Sequence, residues 1–517
     1  MQKRCILLFV ILNLLFSLAA IRICSVILGV STDAADTQSG VTIEIGQNRG
    51  TIYDCNGEPL TDTTYIYKAA VPPSADAIAA VSGYLNDAQR QRLQEGYPIC
   101  VTVDEHFYHE NIRVFKIAQR YDALPPAPHL IGYTDGDGVG VCGIEKSYEE
   151  LLQGGNLSVR FQQDAHGNIL SGIEPELIQE GQAPGSVTLT IDKNIQRAAQ
   201  QAAEKYLPKG AVVVLENSTG KIRAMASTPT FDPNNVQADL DSAQSPFINR
   251  ALSAYNTGSV FKLCTAACAL ENNLQPRHTC TGNIDIQGVL FHCLQRDGHG
   301  LMDMRTALAV SCNTYFIALG QQLPAHALYK LAKAFCFGQS TTLCEGLESA
   351  AGTLPNPDTL QSPAATANFS FGQGDLMTTP LQIASMVQTI CNDGGLIRPS
   401  LIEQITARDG TVRTEQPAAA TRVLQPQTAR TLQSYMIYTV ESGTGAAAKP
   451  ERIGAGGKTA TAETGQTDNG REIVQAWFAG FFPDVDPKYT VVVLSEDGQT
   501  GGQSAAPVFK AIADSLY

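Results

Sequence analysis

The spacing of hydrophobic positions changes character along the chain. Near the N-terminus they run together: Lys3 and Arg4 precede CILLFVILNLLFSLAAI, seventeen mostly apolar residues, followed by Arg22 and a further apolar run, ICSVILGV. The first run is just long enough to cross a bilayer, and Arg22 can snorkel to the interface. A cleaved signal peptide has a shorter apolar core ending at a small-residue site. Cys24 follows Ile-Arg-Ile, which is unlike a lipoprotein cleavage site. The expectation is a retained anchor over 1–30, its positive end cytoplasmic and the remainder of the chain outside. Residues 31–50 are polar and small and read as a membrane-proximal linker.

From about 49 to 180 the pattern is one of short strands and turns, including NRGTIYDCNGEPL with its Asn56-Gly57 turn signal. GDGVGVCGIEKSYEELLQGG follows, its glycine turns leading into a helical stretch. APGSVTLTID then introduces an amphipathic helix, NIQRAAQQAAEKYL. GAVVVLENSTGKIRAMAS reads as a hairpin turning at Asn217–Gly220. Strands and helices alternate to the end, where QAWFAGFFP and YTVVVLSED read as adjacent buried strands. No fixed-period repeat or long low-complexity tract interrupts them. The layout is an anchor (1–30), a stalk-like and mostly β region (31–184) and one large α/β domain (185–517).

Composition narrows the classes. At 517 residues, 44% hydrophobic and 17% charged, the chain is a folded protein with room for a large core. A formal net charge of −14 argues against nucleic acid as a partner. The thirteen cysteines sit awkwardly with export: setting aside Cys5 and Cys24 leaves an odd number, which cannot all pair. Cys280 and Cys293 flank a short segment and could be a disulfide or two thiols. The composition suits a host whose exterior is weakly oxidising. There is no C-x-x-C, and the eight histidines show no metal-site spacing, so no metal or cofactor is expected. His299, in DGHG, reads as structural.

Three short patterns in the large domain carry candidate chemistry. In YNTGSVFKLCTAACALE, Ser259 opens a helix after a glycine turn and Lys262 lies one turn on, on the same face. A lysine whose pKa is depressed by burial or nearby positive charge can serve as the base that a serine nucleophile needs. The helix N-terminus adds oriented N–H groups for an oxyanion. In AVSCNTYFIALG, the Ser311 hydroxyl can relay a proton between Lys262 and a leaving amine, while the Asn313 amide holds the lysine or the substrate. In GGKTATAE, residues 456–463, Lys458 and Thr459 could end a phosphate loop or lie on a strand. The loop fails because Arg452 stands where its first glycine is needed, and Thr459 and Thr461 alternate with small residues as in a strand. There Lys458 supplies positive potential, Thr459 binds a carboxylate and the Thr461 N–H completes an oxyanion hole. Each pattern alone is matched by a bland alternative, a helix cap or a solvated lysine.

Together and in this order, Ser-x-x-Lys, Ser-x-Asn and Lys-Thr resemble the set found in penicillin-binding proteins and serine β-lactamases. RGTIYDCNGEPL, HLIGYTDGDGVGVCGIEKSYEELLQG, FINRALSAYNTGSVFK, HGLMDMRTALAVSCNTYF, SFGQGDLMTTPLQIASMVQTICNDG and QAWFAGFFP resemble segments of class B, high-molecular-weight penicillin-binding proteins, in that family's order. The resemblance implies a mixed α/β (α+β) transpeptidase domain of the serine β-lactamase-like type, standing on an N-terminal mostly-β pedestal with a single transmembrane helix. It implies a peptidoglycan D,D-transpeptidase. Ser259 attacks the penultimate D-alanine carbonyl of a stem peptide, with Lys262 as base, Ser311 as relay and Asn313 steadying the intermediate. The N–H groups of Ser259 and Thr461 stabilise the oxyanion, and Lys458 and Thr459 hold the terminal carboxylate. β-Lactams would acylate the same serine. The implied partner is a polytopic glycan-polymerising membrane protein.

The chain departs from the family pattern at three places. Ala460 follows Lys-Thr where glycine is usual, Thr257 stands where proline is common, and Cys55 replaces an arginine. Gly372-Gln373-Gly374 resembles a structural turn at the mouth of the site. The competing readings are a serine β-lactamase or β-lactam sensor, which lack the long N-terminal region, and a scaffold that has lost catalysis.

Overall fold

The apolar run Val212-Val213-Val214-Leu215 is buried on both faces of its strand, which places it in the interior of a sheet covered on two sides. In the computed structural model, residues 13–20, 22, 40–170, 172–468 and 470–517 are described. The expected anchor therefore falls largely outside them. Among the described residues no helix is long and apolar enough to cross a membrane.

The sheet is built from β1 (Gly210–Glu216), β2 (Ile222–Thr228), β3 (Gly456–Asp468), β4 (Arg471–Phe482) and β5 (Tyr489–Ser495), in spatial order β2-β1-β5-β4-β3. All four pairings are antiparallel, with Val492 opposite Val213 and Thr461 opposite Ala476. β1 and β2 form the expected hairpin, its turn closed by Gly220 at φ +70°. β4 and β5 are the expected adjacent strands.

Alternation divides the side chains between two cores. Val212, Val214, Phe478, Phe482, Val491 and Val493 pack with residues of two helices, Lys193–Tyr206 and Ala506–Leu516. Asp192 caps the first of these, accepting from the N–H groups of Asn194 and Ile195 at 2.9 and 3.1 Å. On the opposite face Val213, Leu215, Trp477, Ala479, Phe481 and Val492 pack against residues of helices Lys262–Glu271 and Pro380–Cys391. Each large apolar side chain so enclosed contributes about 1.5–3 kcal/mol. The sheet is thus the middle layer of three, and the candidate site lies on its second face.

Contacts divide the chain into two units. The larger comprises 49–64, 119–154 and 183–517. It contains a buried ionic cluster: Glu145 accepts from Arg49 Nε at 2.6 Å, Arg120 Nε at 2.7 Å and the Tyr121 hydroxyl at 2.9 Å. The other unit takes in 65–118 and 155–182 together with the described residues ahead of Arg49. The strand Thr64–Val71, which lies in this unit from Tyr65 onward, sends Ala69 and Val71 to one small core and Ala70 to another.

Candidate active site

Ser259 lies in a 3₁₀ turn, Gly258–Phe261, that runs directly into the helix Lys262–Glu271. The Lys262 backbone N–H donates to the Ser259 carbonyl. Side chains three apart eclipse one another in such a turn, so Ser259 and Lys262 stack on one side of it. Ser259 is half-buried and Lys262 fully buried. Gly258 is required on two counts: its φ is +61°, and a Cβ there would come within 2.9 Å of the Ala462 methyl. The turn is therefore pressed against β3. Gly258 N–H donates to the Gly372 carbonyl at 2.9 Å, and a Cβ on Gly372 would meet the Gly258 carbonyl at 2.0 Å. The Gly-Gln-Gly turn thus buttresses the serine. Thr257, standing where proline is common in the family, shares a buried hydroxyl hydrogen bond of 2.9 Å with Thr378.

The Lys262 ammonium gathers the second pattern around itself. It donates to the Asn313 Oδ1 at 2.7 Å, the Ser311 carbonyl at 2.9 Å and the Ser311 Oγ at 3.3 Å. Ser311 reaches it from left-handed backbone, φ +58°, a costly conformation for a non-glycine residue that recurs at functional sites. Asn313 begins the helix Asn313–Gly320, and its Nδ2 donates to the His292 carbonyl at 3.1 Å. Burial pushes the Lys262 pKa down to about 8, against the opposing pull of the Cys312 and Cys293 sulfurs.

Lys458 is on β3, the edge strand of the sheet, and is also fully buried. The strand disposes of the phosphate-loop alternative, since such a loop opens a helix. Its Nζ donates to the Thr459 carbonyl at 2.8 Å. Burial first, and then the charge of Lys262, hold its pKa well below the ordinary lysine value. No carboxylate among the described residues pairs with either ammonium group.

Neighbouring strand residues point to opposite faces, so Thr459 and Thr461 do not share the side on which Lys458 projects. Thr459 Oγ1 pairs with Thr444 Oγ1 at 2.6 Å, and Thr461 Oγ1 accepts from Gly501 N–H at 3.3 Å. Ala460 is 3% exposed, its methyl in the core with Trp477.

Several contributors had no mark in the motifs. Phe316 presents its ring 5.6 Å from Lys262 Nζ; it stands three residues after Asn313, on the same helix face, which is the signal that would have found it. Trp477 Nε1 donates to the Asn256 carbonyl at 3.0 Å and Asn256 Nδ2 to the Glu463 carbonyl at 2.7 Å, tying the approach to Ser259 onto β4 and β3. Thr444 and Gly501 come from segments whose local sequence announces nothing.

The chain matches the model of the penicillin-binding protein transpeptidase domain over residues 210–514. It is 32% identical to peptidoglycan D,D-transpeptidase PbpA of Mycolicibacterium smegmatis, over 83% of this chain and 89% of that protein. It is also 32% identical to stage V sporulation protein D of Bacillus subtilis, over 74% of this chain but only 60% of that protein's length. Among solved structures, penicillin-binding protein A of Mycobacterium tuberculosis, a ceftriaxone acyl-enzyme complex, superposes with a TM-score of 0.67 at 26% identity, covering 91% of this chain and 98% of that one. The chain belongs to the penicillin-binding protein transpeptidase family. The family assignment reached from the three motifs and the mixed α/β transpeptidase fold both stand.

Proposed function

We propose that this protein is a class B peptidoglycan D,D-transpeptidase that works through an acyl-enzyme on Ser259. The observation that carries the reading is the pair of fully buried lysines, Lys262 and Lys458, set beside the serine's turn with no carboxylate paired to either among the described residues. Burial lowers both pKa values, which suits Lys262 to act as a neutral base and leaves Lys458 a cation that an arriving anion would stabilise. The terminal carboxylate of a D-alanyl-D-alanine stem peptide, or the carboxylate of a β-lactam, is such an anion.

In this reading neutral Lys262 takes the Ser259 proton as Oγ attacks the penultimate D-alanine carbonyl. Asn313 and Ser311 hold the lysine, and Ser311 passes the proton to the departing D-alanine amine. The N–H groups of Ser259 and Thr461 receive the oxyanion. The Thr459 hydroxyl binds the carboxylate at the strand edge by exchanging Thr444 for it, and Lys458, projecting to the other side of the same strand, supplies the positive potential that holds it there. An amine of a second stem peptide then attacks the ester, releasing Ser259 and forming the cross-link. The residues 185–517 constitute the transpeptidase, 31–184 supply its pedestal, with 49–64 and 119–154 packed into the same unit as the transpeptidase, and 1–30 are a single-pass anchor that leaves the catalytic part outside the cytoplasm. The partner, supported by the resemblance to class B proteins, is a polytopic glycan-polymerising membrane protein.

Labelling with a fluorescent penicillin, followed by mass spectrometry of the adduct, tests this. A long-lived adduct on Ser259, absent from Ser259→Ala, is the expected result. Rapid turnover of the bound drug would make the protein a β-lactamase, and no label on the wild type would make it a scaffold.

A further inference from the structure

Immediately behind the Ser311–Asn313 segment lies a second constellation that the transpeptidase chemistry does not use. The sulfurs of Cys280, Cys293 and Cys312 and a ring nitrogen of His299 lie within 4.8 Å of one another. The three cysteines are 2%, 2% and 0% exposed, and His299 is half-buried. Cys293 Sγ is 3.9 Å from Cys312 Sγ and 3.5 Å from His299 Nδ1.

These separations can be compared with those a tetrahedral ion imposes. Zinc bonds of about 2.3 Å to sulfur and 2.0–2.1 Å to nitrogen put adjacent sulfurs about 3.8 Å apart and a sulfur and nitrogen about 3.5 Å apart. Both match. A disulfide needs sulfurs about 2.05 Å apart, far closer than Cys293 and Cys312 stand. Three cysteines and one histidine form a closed structural set for zinc.

The surroundings fit ligands rather than idle thiols. Cys293 Sγ sits between two of the other candidate ligands, Cys312 Sγ and His299 Nδ1. Cys312 Sγ also lies 3.4 Å from Thr314 Oγ1, which in turn meets His278 Nε2 at 3.1 Å. The backbone delivers the ligands from separate places. Cys280 is on a short strand paired with Gly300 beside His299, Cys293 N–H donates to the Gly282 carbonyl at 2.9 Å, and Cys312 is the residue before the Asn313–Gly320 helix.

We propose that Cys280, Cys293, His299 and Cys312 bind one zinc ion tetrahedrally, and that this ion pins Ser311 and Asn313 in place against Lys262. Cys312 sits between these two residues, so a bond from its sulfur to a metal fixes the strained turn from which both reach the lysine. In this scheme the four ligands are positioning residues. His299, expected to be merely structural, becomes a ligand, and Cys280 and Cys293 are neither disulfide partners nor free thiols. The metal site does not depend on the catalytic roles assigned above; only its link to acylation does.

The experiment uses the full chain. Protein purified without added metal is expected to contain about one zinc per chain by mass spectrometry of the elements, and Cys280→Ser with Cys293→Ser to lose it. Cobalt(II) added to chelator-treated protein should give thiolate-to-cobalt charge transfer and the intense visible bands of a tetrahedral site, a readout that survives even if the variants misfold. Chelation should lower the melting temperature and slow acylation by penicillin several-fold, and zinc, not calcium, should restore both. Absence of zinc together with a cobalt spectrum lacking charge transfer would overturn the proposal. So would a disulfide among the three cysteines in protein isolated without reductant. If zinc binds but no penicillin labels the protein in either state, the metal site stands and the transpeptidase reading falls.

Discussion

Replacing Lys458 by methionine separates what the site does for substrate from what it does to the fold. Methionine has nearly the same reach and no charge. The structure gives Lys458 a single hydrogen bond, to the Thr459 carbonyl at 2.8 Å, whose loss costs about 1 kcal/mol. Against that, burial and the neighbouring Lys262 hold its pKa well below the ordinary lysine value. Each pH unit of such lowering corresponds to about 1.4 kcal/mol of stability forfeited wherever an unfolded lysine is charged. Any lowering beyond one unit therefore outweighs the lost hydrogen bond, and Lys458→Met should melt higher than wild type at pH 7. The sign of the pH dependence follows. Between the folded pKa and the unfolded value near 10.4, the unfolded chain binds the extra proton, so wild-type stability rises with pH on this account. The variant lacks that slope, and its advantage should shrink between pH 7 and pH 9.5. Acylation moves the other way. Loss of the positive charge that holds the carboxylate, taken as worth one charge-assisted hydrogen bond, about 1.5–3 kcal/mol, slows it by roughly 10- to 150-fold. Thermal melts at the two pH values and stopped-flow labelling with a fluorescent penicillin measure both quantities. A variant that melts lower yet acylates at the wild-type rate would refute the argument, because Lys458 would then be a structural cation with no anion to await.

Three further outcomes are expected. The acylation rate should climb with pH through a midpoint near 8, as the Lys262 ammonium gives up its proton, and level off above it; a profile flat from pH 6 to 9 would remove Lys262 as the base. Ala460→Gly should lower stability by about 1–2 kcal/mol, from strand entropy and a buried methyl, while changing the penicillin acylation rate less than a few-fold, measured by denaturant titration and labelling. Glu145→Ala should destabilise the protein by about 3–5 kcal/mol, because Arg49 and Arg120 lose their shared buried carboxylate; urea unfolding reads this directly.

The chemistry of the site was legible because it is local. Ser259 and Lys262 share one turn, Ser311 and Asn313 flank a single residue, and Lys458 stands on a strand whose alternation is plain. Those short spacings, taken in order, led to the family. What lay beyond reach is what folding brings together from afar: Thr444 beside Thr459, Gly501 beside Thr461, and Asn256 beneath Trp477. The Cys280, Cys293, His299 and Cys312 cluster escaped for the same reason, since its members are spread through a hairpin region and carry no C-x-x-C spacing. The face on which each threonine projects also came only from the sheet, as adjacent positions cannot both turn toward Lys262. Ala460 looked like a defect by comparison with the family pattern, whereas its methyl fills core space beside Trp477.

The sheet ends at β3, and an unfinished ladder has consequences for traffic as well as for chemistry. A bare strand border welcomes any extended polypeptide, including a neighbouring molecule's, and proteins normally blunt such borders. Here the blunting is partial: Asn256 occupies the Glu463 carbonyl at 2.7 Å and Lys458 that of Thr459 at 2.8 Å, while the turn bearing Ser259 lies against Ala462. Those three contacts fall within Thr459–Glu463, so the part of the border beside the Ser259 turn is the part that is blunted against a neighbouring strand.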